Sequence, residues 1–148
     1  KYIPYVVETS IGLDRMFLSV LSSSYTNENL EDGSSRVVLK IPKQIAPFKI
    51  AVLPLLKKDG LPEIAKELLN EFSSEVNLSY DEKDAIGRRY RRQDAIGTPY
   101  CITIDHKTLE DNTFTLRDRD SMGQKRINKD ELINIVKDEL TINNLLNN

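Results

Sequence analysis

The chain has 148 residues, 39% hydrophobic, 30% charged and 7% aromatic, with a formal net charge of −2. That length hides roughly two-thirds of the unfolded surface without disulfide or metal staples, so a folded domain is expected and disorder as the main state is excluded. No window approaches the ~20 consecutive apolar residues of a membrane span, and the near-neutral charge excludes coating of nucleic acid by bulk attraction, though not a local basic stripe. Cys101 is the only cysteine and His106 the only histidine, which leaves no internal disulfide and no Cys–His zinc site. A reducing, cytoplasmic setting is expected. The chain opens on Lys1 and is expected to be a piece of a longer polypeptide.

Residues 2–7 read as a strand that leads at once into a helix. Leu13, Met16, Phe17, Val20 and Leu21 fall at i, i+3, i+4, i+7 and i+8, one helical face. Residues 22–35 are polar and read as a surface loop. A short strand over 36–41 follows, and Pro42 and Pro47 mark a boundary between a first unit, 1–46, and a second, 47–148.

In the second unit β and α patterns alternate. Ile50 to Leu53 is a short apolar run suited to a strand covered on both faces. Asp59-Gly60 opens a helix with Pro62 in its first turn, and Ile64, Ala65, Leu68, Leu69 and Phe72 form its buried stripe. Residues 76–80 alternate as a strand, 82–96 read as a charged helix, and 100–104 as a strand. Residues 113–117 pair naturally with 124–127 through the turn between them. Asn128, with Glu131 three residues on, has capping-box spacing for a last helix. Its apolar face is Leu132, Ile135, Val136 and Leu140; the Asn-rich end, 143–148, has too little apolar content to dock. The order implies an α/β fold, an open and partly parallel sheet with helices packed on it.

Conventional catalytic sets are thin. His106 reads as an exposed turn residue and Cys101 as a buried, inert thiol, and there is no glycine-rich phosphate loop. Two basic features stand out. In Gly87-Arg88-Arg89-Tyr90-Arg91-Arg92-Gln93, Arg88, Arg91 and Arg92 can share a helix face while Arg89 lies off it. These arginines either grip phosphates or pair with Asp81, Glu82, Asp84 and Asp94. Arg117-Asp118-Arg119-Asp120 leaves a strand towards a turn, where it could read base edges or form cross-strand ion pairs. Near the start, Glu8 to Arg15 joins the first strand to a helix N-terminus, a place that attracts anions, with Arg15 off the apolar stripe.

These segments resemble a known family. Val6-Val7-Glu8-Thr9-Ser10-Ile11-Gly12-Leu13-Asp14-Arg15 is similar to the third signature motif of class II aminoacyl-tRNA synthetases, apart from Thr9 where a proline is common. Residues 47–56, Asp59-Gly60-Leu61-Pro62, the run from Ile86 to Cys101 and residues 114–126 resemble the C-terminal anticodon-binding domain of glycyl-tRNA synthetases. The resemblance reaches to about Leu140. It implies a mixed five-stranded sheet with three helices, preceded by a strand–helix remnant of the catalytic domain. It further implies a homodimeric parent enzyme that attaches glycine to tRNA using ATP with Mg. This chain lacks the first two class II motifs, so it should not catalyse alone or carry a cofactor or metal of its own.

By the same resemblance Arg15 binds the ATP triphosphate, and Glu8 and Ser10 belong to the glycine pocket. Arg117 is the first choice for reading an anticodon base. Glu110, Arg119 and Gln124 are further choices around the same sheet end, and Arg88, Arg91 and Arg92 form a tRNA phosphate grip. The alternative is a non-catalytic relative, such as the synthetase-like accessory subunits of organellar DNA polymerases, or a plain binding module.

Overall fold

The chain is described by a computed structural model that covers residues 1–31 and 33–142; the expectation for 143–148 lies outside them. Residues 1–12 form no helix or strand, and the side chains of Tyr2, Ile3, Tyr5, Val6 and Val7 are exposed. The expected strand over 2–7 is therefore absent, since an apolar run becomes a strand only when a neighbour takes its backbone groups. Helix α1 (Leu13–Ser24) follows, as its periodicity indicates. The polar stretch after it is not a loop throughout. Strand β1 (Tyr25–Asn29) pairs antiparallel with β2 (Ser35–Leu39), Glu28 standing opposite Arg36. A 3-10 turn at Lys43–Ile45 leads into the main sheet.

That sheet holds β3 (Ile50–Pro54), β4 (Leu78–Tyr80), β5 (Tyr100–Ile104), β6 (Phe114–Asp118) and β7 (Gln124–Ile127), in the order β4-β3-β5-β6-β7. The pairs β3–β4 and β3–β5 are parallel, while β5–β6 and β6–β7 are antiparallel. The mixed five-stranded sheet is thus as expected. Three longer helices serve it: α2 (Leu61–Phe72), α3 (Ile86–Ile96) and, after the short α4 (His106–Asp111), α5 (Lys129–Glu139).

All five residues of β3 and all five of β5 are buried because helices cover both sides. On one side α2 and α5 bring Leu61, Ala65, Leu68, Phe72, Leu132 and Val136 against Ile50, Val52, Ile102, Ile104, Leu116 and Ile127. On the other, Ile86 and Tyr90 of α3 pack on Ala51, Leu53 and Cys101. Burial pushes the Cys101 thiol up to about 12, so it is a packing group rather than a nucleophile.

Local signals fix the helix ends. Asn128 caps α5 and the Glu131 side chain reaches back to it, the capping box expected from their spacing. The same device, Asp105 with Thr108, opens α4, so His106 begins a helix instead of standing in a turn. Helix α3 ends at Gly97, whose φ is +84°. A Cβ there would come within 2.9 Å of Ile41 and 3.0 Å of the Leu39 carbonyl oxygen, so glycine is required twice over.

Candidate nucleic-acid interface

Strand alternation divides the sheet into two chemically different faces. Tyr100, Ile102, Leu116 and Ile127 point to the α2/α5 side; Cys101, Thr103, Thr115, Arg117, Gln124 and Arg126 point to the other. On that second side α3 lies over β3 and β5. Tyr90 Oη is 2.7 Å from Thr103 Oγ1, which pins the helix to the sheet. Beyond it Gln124 is exposed, and Thr115 and Arg126 are half-buried. The Arg126 guanidinium donates to Asp105 Oδ2 (2.7 Å), Thr115 Oγ1 (3.0 Å) and Thr113 Oγ1 (2.9 Å). Burial alone would raise the Asp105 pKa, but Arg126 and the Thr108 amide outweigh it and hold the carboxyl below the usual range.

The arginines of α3 divide by partner. Arg89 is buried and donates to the Asp84, Pro54 and Leu55 carbonyls, fastening the end of β3. Arg92 is held by Asp81 (2.6 Å) and Asp84 (2.9 Å). Arg88 is exposed, and among the described residues its side chain meets neither a hydrogen-bond acceptor nor a carboxylate. Arg91, one turn further along the same ridge, is half-buried with Nη1 shut off from solvent and lacking any hydrogen-bond partner. A buried guanidinium donor without an acceptor is costly in the free protein. Arg91 shares the flank of α3 that carries Asp94, three residues on, which faces β6 through Arg117.

Arg117, the first choice for base reading, and Arg119, one of the further choices, both lie inside. Arg117 is 5% exposed, donating from Nη1 to Asp94 Oδ1 (2.8 Å) and from Nη2 to Asp94 Oδ2 (3.0 Å), with its guanidinium 4.8 Å from the Tyr90 ring centroid. Arg119 is 3% exposed and donates to the carbonyls of Leu39, Ile41 and Gly97 and to both oxygens of Asp120. The physical reason is local. Opposite Arg117 stands Cys101, small enough to leave room, and above it stands Asp94, fully buried and in need of countercharge. Glu110 on α4 and Gln124 on β7 are both exposed, but they do not share one sheet end. Glu110 lies just before Phe114 and Gln124 pairs with Arg117, so about 10 Å of strand separates them.

A model of the family described as "Anticodon binding domain" matches residues 49–139. The chain belongs to that family. Among similar proteins, a glycine--tRNA ligase of Borrelia hermsii is 51% identical over 140 residues, covering 95% of this chain and 32% of the relative. One from Clostridium tetani is 52% identical, covering 95% of this chain and 30% of the relative. The chain thus spans about a third of the length of the curated relatives it matches. The solved RNA-binding domain of threonyl-tRNA synthetase from Cryptosporidium parvum Iowa II superposes with a TM-score of 0.62 at 24% identity, over 68% of this chain and 26% of that one. That likeness concerns the fold.

In the anticodon-binding domain the sequence run Gln93-Asp94-Ala95-Ile96-Gly97-Thr98-Pro99 is accordingly structural. Gln93 and Thr98 bond each other (2.8 Å), Asp94 anchors arginines and Gly97 gives α3 its end. The role of Asp94 as an internal anchor was not legible beforehand, because its partners come from β2 and β6. The remaining expected residues lie ahead of the domain. Glu8 and Ser10 are exposed on the extended segment. Arg15, in the first turn of α1, lines a shallow cleft of about 400 Å³ with Ser10, Gly12 and Ser19. Among the described residues no group of three or more His, Cys, Asp or Glu side chains is arranged to hold a metal ion.

Proposed function

We propose that the chain is the tRNA-reading, C-terminal part of a glycine–tRNA ligase. The observation that carries this reading is the similarity to such ligases over 140 residues, running through the anticodon-binding domain and the segment before it. The geometry supports a contact surface on the open sheet face beside α3. Arg88 offers an exposed, unengaged guanidinium for phosphate, Arg91 adds the edge of its half-buried guanidinium other than Nη1, and Gln124 offers both a donor and an acceptor for a base edge. Glu110 can accept from an exocyclic amine further along the surface. Single-stranded loops are read in this way, by hydrogen bonds to unstacked bases held near a charged backbone grip. Arg92, Arg117 and Arg119 serve the domain by holding its parts together.

In the complete enzyme Arg15 would meet the ATP triphosphate, with Glu8 and Ser10 near the glycine ammonium group; ATP with its Mg would supply the activating phosphoanhydride. Glycine activation would then belong to the complete, dimeric enzyme, and tRNA reading to this part. The test is filter binding of glycine tRNA at two salt concentrations. Replacing Arg91 with alanine should weaken binding about 10-fold and lower the salt slope by about one, whereas Arg92→Ala should change affinity less than about 2-fold. Equal effects of the two substitutions would refute this surface. Equal retention of glycine tRNA and a tRNA with an altered anticodon would refute anticodon reading itself.

A further inference from the structure

The buried charges around Asp94 connect more than the anticodon-binding domain. Asp94 is fully buried, and its Oδ2 takes Arg36 Nη1 of β2 (3.1 Å) as well as Arg117 Nη2 of β6 (3.0 Å). Arg36, 3% exposed, also donates to Glu28 Oε2 of β1 (2.6 Å), to the Arg119 carbonyl (2.9 Å) and to the Asp120 carbonyl (3.2 Å). Arg119 closes the circuit by donating back to the Leu39 and Ile41 carbonyls. Three guanidiniums, Arg36, Arg117 and Arg119, thus meet three carboxylates, Glu28, Asp94 and Asp120. The three pairs balance in charge, Lys40 adds a more exposed cation on Glu28 (2.6 Å), and the hydrogen bonds run in both directions between the hairpin and the sheet. The hairpin also fits by shape, because Gly97 leaves no Cβ between α3 and Leu39–Ile41.

From this we infer that the β1–β2 hairpin is a positioning element for base discrimination, with Arg36 and Asp94 as its positioning residues. They hold β6, and with it the β6–β7 end that presents Gln124, in fixed register with the α3 ridge carrying Arg88 and Arg91. The inference rests on the tRNA-reading function proposed above. A side chain that reads a base edge loses selectivity once its support lets it drift, even while the general phosphate attraction persists. Loss of the splint should therefore lower selectivity before it lowers overall binding.

The experiment compares the affinities of the 148-residue chain for glycine tRNA and for the same tRNA with an altered anticodon. Arg36→Met removes every hairpin-to-sheet hydrogen bond of that guanidinium while keeping length; its affinity ratio should fall about 10-fold. Glu28→Gln takes away the outer, partly exposed carboxylate charge that Arg36 shares with Lys40 and leaves the bonds of Arg36 to Asp94 and the sheet, so folding is retained and the ratio should fall about 3-fold. An unchanged ratio, with both tRNAs weakened in parallel, would make the cluster purely structural and overturn the inference. If Arg36→Met does not fold, an unchanged ratio in Glu28→Gln overturns it. If the unsubstituted chain holds both tRNAs equally, anticodon reading itself fails and the inference falls with it.

Discussion

Replacing Asp94 with asparagine removes one charge from the buried cluster while keeping the side chain's shape. The carboxylate accepts three hydrogen bonds from two guanidiniums, at 2.8, 3.0 and 3.1 Å, and is fully buried. Asparagine retains one acceptor oxygen, and its NH2 would point a donor at a guanidinium donor. Arg36 and Arg117, both nearly inaccessible, would then share one uncompensated charge. Breaking a buried pair in this way costs about 3–5 kcal/mol, a large share of the ~5–15 kcal/mol by which domains are stable. With a urea slope of about 2 kcal/mol/M, the unfolding midpoint should fall by about 2 M. The assay is equilibrium urea unfolding followed by circular dichroism. Combining Asp94→Asn with Arg36→Met should cost less than the sum of the two, since the second change removes a charge that the first left unpaired. A midpoint within about 0.3 M of the unsubstituted chain would refute the reasoning, because some other group would then be satisfying both arginines.

Gly97→Ala should destabilise the chain by about 2–4 kcal/mol, seen as a lower urea midpoint, because the positive φ and the clash with Ile41 and the Leu39 carbonyl add. A loss below about 1 kcal/mol would mean that β2 yields to the methyl group. Stability should also fall in alkali. Burial and the hydrogen bond to Glu139 push the Tyr100 phenol up to about 12, although the ammonium of Lys43 works the other way. The folded state therefore keeps a proton that the unfolded state releases near 10; this contribution is complete below about pH 10 and is lost as pH rises towards 12. Tyr100→Phe should flatten the fall in urea midpoint between about pH 10 and pH 12, and an equally steep fall in the variant would assign it to other groups.

What the sequence discloses about this fold depends on how local the cause is. The stripe of α2, the apolar runs of β3 and β5 and the capping box of α5 are each complete within a few residues, so their elements are legible. Strand β1, Tyr-Thr-Asn-Glu-Asn, carries no apolar alternation; it is a strand because β2 takes its hydrogen bonds. Residues 2–7 show the reverse, strand-like composition without a partner. One signal in β2 does speak for the cluster. Arg36 shares its inward face with Val38, so an arginine stands where an apolar side chain is expected and must find buried acceptors.

The candidate interface follows from counting which donors are already used. Arginine has five N–H donors and no acceptor, so a guanidinium saturated by the protein has little left for RNA. Arg119 makes five hydrogen bonds, and Arg36 and Arg92 make four each, whereas Arg117 is bidentate on Asp94 and laid beside Tyr90. Arg88 and Arg91 make none through their side chains among the described residues. Composition presents these arginines as one basic population, and helix spacing sets only Arg89 apart from its neighbours. The acids divide them further: Asp94 draws two arginines inward, Asp81 and Asp84 occupy a third, and Arg88 and Arg91 pair with no carboxylate among the described residues. It is the placement of carboxylates, more than the number of arginines, that decides which guanidiniums of a near-neutral chain stay available to an anion.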